Sequence, residues 1–242
     1  MAGGSGGAGL GVGAAPFTNV VHGLAVAGAV LVLVWTIHFR GGLAFESTNK
    51  NLIFNLHPVL MLIGFIILGA KVTIISYKVF PWSKEVKKLI HLTLHAIAVV
   101  LGAVGIYAAF KFHNESGIAN LYSLHSWIGL GTIVLFALQW IFGFVTFFYP
   151  GAAPAIRRGA LPWHLLVGLF VYALTIVTAE LGFLEKLTFL ENSGLAKYGS
   201  EAFLVNFTAL VVLLLGAIVV LVAVLPSELE DPEGYRAVPE EA

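Results

Sequence analysis

The sequence contains no cysteine and very little charge, and each shortage excludes a class of function. Without cysteine the chain can form no disulfide, bind no iron–sulfur cluster through thiolates and offer no Cys-x-x-Cys-His attachment site. Only 11% of its 242 residues are charged, and the formal net charge at pH 7 is zero. This balance argues against nucleic-acid binding, which requires a basic surface. Any metal cofactor must be held non-covalently, without thiolate ligands.

Long apolar runs are what the sequence has in abundance, since 59% of its residues are hydrophobic and the mean hydropathy is +0.94. A hydrocarbon core of about 30 Å needs about 20 residues of helix. Runs of this length without polar alternation exclude a transmembrane β-barrel. We therefore predict an all-α bundle of six transmembrane helices in a lipid bilayer, at approximately Phe17–Phe39, Leu52–Tyr77, Val86–Phe110, Leu121–Tyr149, Leu161–Leu181 and Phe203–Leu225.

The same pattern predicts three regions along the chain and an orientation in the membrane. Residues 1–16 form a Gly-rich N-terminus, residues 17–226 the six-helix domain and residues 227–242 an acidic tail. The Gly-rich start has no positive charge ahead of the first run, so no cleaved signal peptide is predicted. The connections on the side of the termini carry the larger share of basic residues, seven against five. Both termini are therefore expected in the cytoplasm.

Four histidines recur at intervals of 34, 34 and 39 residues, each a few residues inside the start of an apolar run: His57, His91, His125 and His164. Alternate helices of an antiparallel bundle begin at the same face of the membrane. His57 can therefore meet His125 at one face, and His91 can meet His164 at the other. A buried imidazole is costly unless it is paired or binds a metal. The pattern predicts two stacked sites about 15 Å apart.

The ligand set favours haem iron over zinc. Zinc needs a third and a fourth ligand at each site, yet no Asp lies in any run, and the Glu residues cluster in loops except Glu180. Two opposed imidazoles match a six-coordinate haem, whose filled axial positions leave one-electron transfer as its chemistry. Gly129 and Gly168, each four residues after a candidate ligand, would leave room for a flat macrocycle.

Several alternatives stay open at this point. The chain could be a di-haem electron carrier, a haem-free transporter that uses the histidines for a metal or for protons, or a structural membrane subunit. His95 lies one helical turn after His91 and could replace it as a ligand if that helix were rotated.

Four stretches around these histidines resemble the cytochrome b561 family: Phe54-Asn55-Leu56-His57-Pro58, Lys87-Lys88-Leu89-Ile90-His91, Leu121-Tyr122-Ser123-Leu124-His125-Ser126-Trp127 and Pro162-Trp163-His164. The likeness covers roughly residues 17–226 and is greatest to the plant members. It implies two non-covalent b haems held between the four central helices. It also implies a transmembrane oxidoreductase that passes electrons from cytoplasmic ascorbate to monodehydroascorbate or a ferric chelate. A homodimer in an endomembrane such as the vacuolar one, or in the plasma membrane, would fit the family.

The resemblance also implies roles for individual residues. His57 and His125 would bind the non-cytoplasmic haem, and His91 and His164 the cytoplasmic one. Lys84, Lys88 and Arg157 match the basic residues of the family's ascorbate site, on loops beside the helices of the cytoplasmic haem. His113, in a short loop flanked by Phe112 and Tyr122, matches a histidine near the acceptor.

Elementary chemistry supports these roles. Ascorbate is a monoanion at neutral pH, so cations would attract it, although loop lysines also mark the cytoplasmic side and contact lipid headgroups. A histidine titrates near neutral pH and can deliver a proton to a reduced radical. We therefore expect Lys88, Arg157 and His113 to act in catalysis, and Lys87 and Arg158 to be solvated.

Overall fold

The structure, a computed structural model, describes residues 15–70 and 82–225. Within these ranges six helices are long and apolar enough to cross a membrane: α1 (Phe17–Phe39), α2 (Lys50–Ala70), α3 (Lys84–Ser116), α4 (Leu124–Phe148), α5 (Pro154–Asn192) and α6 (Ser200–Val224). The predicted all-α, six-helix bundle is confirmed. Most of the Gly-rich start, the acidic tail and residues 71–77 of the second predicted run lie outside the described residues.

Two of the helices, α3 and α5, extend well beyond the apolar runs that predict them. The side chain of Ser83 accepts a hydrogen bond from the Val86 amide at the start of α3, and Gly117 closes the same helix with φ of 68°. The 33 residues of α3 and the 39 of α5 therefore include polar turns at both ends. Four residues expected in loops lie on these helices instead: Lys84, Lys88, His113 and Arg157.

The helices pack as a closed ring, in which each helix contacts the next and α6 returns to α1. Some contacts require glycine, as expected where helices approach closely in a membrane. A Cβ atom on Gly64 of α2 would lie 2.7 Å from the Cβ atom of Leu101 on α3. Since neighbouring helices run in opposite directions, α2 and α4 begin at one end of the bundle and α3 and α5 at the other.

A small aromatic and aliphatic cluster separates the two ends. Phe65, Ala98, Phe136 and Val171 come one each from α2, α3, α4 and α5, and the rings of Phe65 and Phe136 have centroids 4.6 Å apart. Each member lies between seven and eleven residues beyond the candidate ligand of its own helix, which corresponds to about 10–16 Å along the axis. The larger core joins α1, α2, α5 and α6 and packs on the other side of the histidine-bearing helices.

The outward faces of the bundle are apolar. Large side chains such as Val26, Val100 and Leu138 are more than half exposed, and such faces recur on successive helices. A continuous apolar surface of this kind is a liability in water and a normal boundary in lipid. The chain is an integral, multi-pass membrane protein.

Candidate functional site

The structure brings the four histidines together in the two pairs that the topology predicts. The ring centroids of His57 and His125 are 6.0 Å apart, with their planes at 88°. Those of His91 and His164 are 6.2 Å apart, with their planes at 64°. Two metal–imidazole bonds of about 2.0 Å, with the radius of each ring added, would place the centroids about 6.4 Å apart. Both pairs therefore have the spacing of imidazoles that share one metal.

The hydrogen bonds of the His57–His125 pair suit metal binding as well. The Nδ1 atom of His57 lies 3.0 Å from the carbonyl oxygen of Gly105, and that of His125 lies 2.8 Å from the carbonyl oxygen of Thr178. Because a carbonyl oxygen only accepts, each Nδ1 carries the proton and each Nε2 keeps its lone pair. Metal-binding histidines are commonly oriented in this way by a second hydrogen bond.

A cavity of about 580 Å³ lies beside His57 and His125. Its size falls within the roughly 300–1,000 Å³ of small-molecule and cofactor pockets, and apolar side chains such as Met61, Phe65 and Ile133 form much of its wall. Among the described residues, no group of three His, Cys, Asp or Glu side chains could hold a metal ion. Two protein ligands per site suit a haem iron, whose porphyrin supplies the other four, better than zinc.

Two further glycines make room for the imidazole rings themselves, while the predicted Gly129 lines the cavity beside His57 and His125. A Cβ atom on Gly182 of α5 would lie 2.7 Å from Cε1 of His125, and one on Gly143 of α4 would lie 3.1 Å from Cε1 of His164. The glycines singled out in the sequence meet neighbouring helices. A Cβ atom on Gly129 would approach Thr178 to 3.2 Å, and one on Gly168 would approach Gln139 to 3.7 Å.

At the other site, His91 is the ring that faces His164, and His95 lies beside His91. The centroids of His91 and His95 are 4.3 Å apart, and His95 also packs on Phe136 at 5.2 Å. His95 therefore does not take the place of His91 opposite His164. Gln139, which sequence reasoning missed, places its side-chain nitrogen 2.9 Å from Nδ1 and 2.7 Å from the carbonyl oxygen of His164.

The candidate ascorbate residues lie at the end of the bundle that holds the His91–His164 pair. Lys84 and Lys88 occupy the first two turns of α3, ahead of His91, and Arg157 lies in the first turn of α5, ahead of His164. Lys84 is exposed, whereas Lys88 and Arg157 are partly buried. Long basic side chains at a membrane boundary can pack their methylene stems while their charged heads reach solvent.

The three candidate acceptor residues lie together in the wall of the large cavity. The rings of His113 and Tyr122 stack with centroids 6.1 Å apart, and Phe112 packs against His113 at 5.7 Å. Phe54 links this group to the ligand pair, since its ring lies 5.1 Å from Phe112 and 6.0 Å from His57. Burial and the neighbouring carboxylate of Glu185 raise the pKa of Tyr122, so its phenol stays protonated at neutral pH.

Comparison with known proteins agrees with this geometry. The family profile of eukaryotic cytochrome b561 matches residues 56–190, which include all four paired histidines. A rice protein (Oryza sativa subsp. japonica), probable ascorbate-specific transmembrane electron transporter 2, is 73% identical over 96% of this chain and 98% of its own length. Ascorbate-specific transmembrane electron transporter 2 of Zea mays is 70% identical over 97% and 99%. Transmembrane ascorbate ferrireductase 1 of Arabidopsis thaliana is 66% identical over 85% and 86%. This chain belongs to the eukaryotic cytochrome b561 family.

Proposed function

We propose that this protein is a transmembrane ascorbate-dependent oxidoreductase. It carries electrons from cytoplasmic ascorbate to monodehydroascorbate or a ferric chelate on the other side. Two non-covalent b haems would supply the one-electron chemistry: His91 and His164 would hold the cytoplasmic haem, and His57 and His125 the non-cytoplasmic one. The observation that carries this proposal is the spacing of the two ring pairs, 6.0 and 6.2 Å, at opposite ends of one bundle. The names of the relatives supply ascorbate as the donor and ferric iron as one acceptor.

The protein's own contribution is to hold the rings still and to keep water out. A haem held by either histidine pair would supply reversible one-electron transfer. The carbonyl groups of Gly105 and Thr178 fix two of the rings, and the cluster around Phe65 and Phe136 fills the space between the sites. A rigid, dry environment reduces the reorganisation that accompanies each change of charge.

Lys88, Arg157 and Lys84 form the ascorbate site in this proposal. The ascorbate monoanion gives up one electron and one proton and leaves as the monodehydroascorbate radical. Cations at the helix starts raise the local concentration of the anion and favour loss of its proton. Neighbouring residues offer matched controls, because Lys87 and Arg158 carry the same charges one position along each helix. Lys88→Gln and Arg157→Gln should raise the KM for ascorbate, whereas Lys87→Gln and Arg158→Gln should leave it unchanged.

His113, Phe112 and Tyr122 form the acceptor site. Monodehydroascorbate takes up one electron and one proton, whereas a ferric chelate takes up an electron alone. If His113 supplies the proton, His113→Ala should slow reduction of the radical far more than reduction of ferric citrate, with both haem spectra intact. Equal slowing with both acceptors would contradict a proton-donor role. Loss of a haem spectrum would show that His113 is structural.

The orientation and setting of the protein belong to the same proposal. Both termini are cytoplasmic, with the Gly-rich residues 1–16 before the 17–226 domain and the acidic residues 227–242 after it. The protein acts as a homodimer, either in an endomembrane such as the vacuolar membrane or in the plasma membrane. Protease access to terminal tags in sealed vesicles tests the orientation, and a tag cleaved from the lumenal side would reverse it.

A reduced-minus-oxidised absorbance spectrum of the purified protein, with haem quantified per chain, tests the central proposal. Two low-spin haems per chain that ascorbate reduces would support it. A colourless protein, folded and expressed with haem available, would refute it. The alternative would then be a haem-free transporter that uses the same histidines for a metal or for protons, and zinc binding would be the next measurement.

A further inference from the structure

We propose that Lys186 is the anion-binding residue of the cavity beside His57 and His125. This inference rests on the proposed function, and it assigns a residue that the sequence analysis did not connect with the site. The ligand class is an oxyanion, either a carboxylate or an enolate. Two sources could supply it: the soluble acceptor, or the carboxylate groups of the haem itself.

The position of Lys186 on α5 directs it toward the cavity. It follows Gly182 by one helical turn, and Gly182 is the residue that abuts the ring of His125. Lys186 lines the same cavity as His57, His125 and His113. Its ammonium nitrogen lies 4.0 Å from the centroid of the Phe54 ring and 5.8 Å from that of Phe112. Lys186 therefore shares the cavity with the candidate ligands and with the candidate acceptor residues.

Among the described residues, basic residues at the same end of the bundle are ion-paired, whereas Lys186 is not. The other basic residues nearby are neutralised: Arg40 pairs with Glu201, Lys50 with Glu115 at 2.6 Å, and Lys111 with Glu46 at 2.7 Å and Glu115 at 2.8 Å.

Lys186 forms no ion pair or hydrogen bond with any residue in the ranges 15–70 and 82–225. The adjacent Glu185 instead accepts a hydrogen bond of 3.0 Å from the hydroxyl of Ser123.

Two aromatic faces stabilise the ammonium group without neutralising it. A cation over a phenyl ring gains electrostatic attraction from the ring quadrupole, but a partly desolvated charge still favours an opposite charge within hydrogen-bond distance. An anion that enters the cavity would find such a charge in the wall that His57 and His113 also line. The same ammonium would disfavour cationic acceptors, so Lys186 would set the charge preference of the site.

The test compares acceptors of opposite charge. The variants are Lys186→Gln, which removes the charge, Lys186→Arg, which keeps it, and Lys197→Gln as a control. Lys197 is an exposed lysine in the segment that follows α5 and does not line the cavity. The KM values for ferric citrate and for the cationic hexaammineruthenium(III), and the midpoint potentials of both haems, are measured for each variant.

If the anion is the soluble acceptor, Lys186→Gln raises the KM for ferric citrate about tenfold, as expected for losing one charge-assisted hydrogen bond. The KM for hexaammineruthenium(III) stays the same or falls, both potentials are unchanged, and Lys186→Arg restores most of the affinity. If the anion is a haem carboxylate, the potential of one haem shifts and the two KM values keep their ratio. Wild-type KM values and potentials in Lys186→Gln would overturn the inference.

A separate measurement keeps this inference distinct from the proposed function. Calorimetric titration of citrate into the purified protein requires no electron transfer. Weaker citrate binding by Lys186→Gln than by Lys197→Gln would support an anion site even if ascorbate failed to reduce the protein. Conversely, the Lys186→Gln variant could bind haem and be reduced by ascorbate while its citrate binding, KM values and potentials equal those of the wild type. That result would exclude Lys186 as an anion-binding residue and leave the proposed function standing.

Discussion

The substitution Gly182→Ala tests the packing of a candidate haem ligand most directly. It would place a methyl carbon 2.7 Å from Cε1, 3.0 Å from Nδ1 and 3.4 Å from Nε2 of His125. Because carbon atoms pack at about 3.5–4.0 Å, the ring would have to move by about 0.8–1.3 Å. The ring cannot move freely, since its Nδ1 donates a 2.8 Å hydrogen bond to the carbonyl oxygen of Thr178. Thr178 lies one turn before Gly182 on α5.

The expected cost follows from these contacts. Overpacking of a filled site costs about 1–3 kcal/mol, and the strained or lost hydrogen bond adds about 0.5–1.5 kcal/mol. A ring that is displaced by this much would also point its Nε2 away from the position that faces His57. We therefore expect Gly182→Ala to lower the thermal stability of the loaded protein and to weaken or alter one haem spectrum, while the other haem remains normal.

Haem per chain, the low-spin spectrum and the thermal midpoint are measured together in detergent. Gly131→Ala is the matched control, because Gly131 lies on α4 at an exposed position where an added Cβ atom meets nothing within 4 Å. That variant should behave as wild type or gain slightly in stability. Wild-type haem content, spectrum and thermal midpoint in Gly182→Ala would refute the reasoning, since they would mean that His125 is not confined by α5.

Three further predictions address ligation, stability and pH. His91→Ala should remove one haem per chain and leave the other reducible by a chemical reductant, and retention of both would exclude His91 as a ligand. Glu201→Ala should lower the free energy of unfolding by about 2–4 kcal/mol and lower the thermal midpoint. The reason is that the buried carboxylate accepts a 3.0 Å hydrogen bond from the Trp35 indole and pairs with Arg40. An unchanged midpoint would contradict this. Because the raised pKa of Tyr122 keeps its phenol neutral, Tyr122→Phe should lower acceptor reduction by the same factor from about pH 5 to about pH 9, and a pH-dependent ratio of rates would count against it.

The number of helices and the pairing of histidines could be predicted because both depend on counting. The thickness of the bilayer sets the length of a spanning helix, and each crossing reverses the direction of the chain. His57 and His125 are separated by two crossings, as are His91 and His164, so each pair returns to one face. No detail of side-chain packing enters this argument, and the structure contains the two pairs at 6.0 and 6.2 Å.

The helix ends could not be predicted from hydropathy, because the mean hydropathy falls where charged residues begin while the helix continues. Ser83 caps α3 just before Lys84, and the helix extends to Ser116, beyond His113. Charged side chains near the ends of a membrane helix can reach the interface without breaking it. The positions expected in loops are for this reason helical, and they are held more rigidly than loop residues would be.

The glycine that abuts an imidazole ring could not be predicted either, because its position depends on how two helices pack against each other. A spacing of four residues places Gly129 on the same face of α4 as His125, but the space beside an imidazole is set by whichever helix packs against that face. Here it is α5, and the residue at the point of contact is Gly182, which is 57 positions away in the chain. Predicting it would require the relative rotation and register of two helices.

Once one such contact is known, the periodicity of the sequence becomes informative again. Gly182 faces His125, so residues four positions before and after it share that face of α5. These are Thr178, whose carbonyl group orients His125, and Lys186, and all three line the cavity. This period-four series assigns Lys186 to the cavity wall independently of its contact with Phe54. If α5 were rotated by a quarter turn, Thr178, Gly182 and Lys186 would leave the cavity together, so the Gly182→Ala and Lys186→Gln experiments test a single helix orientation from two directions.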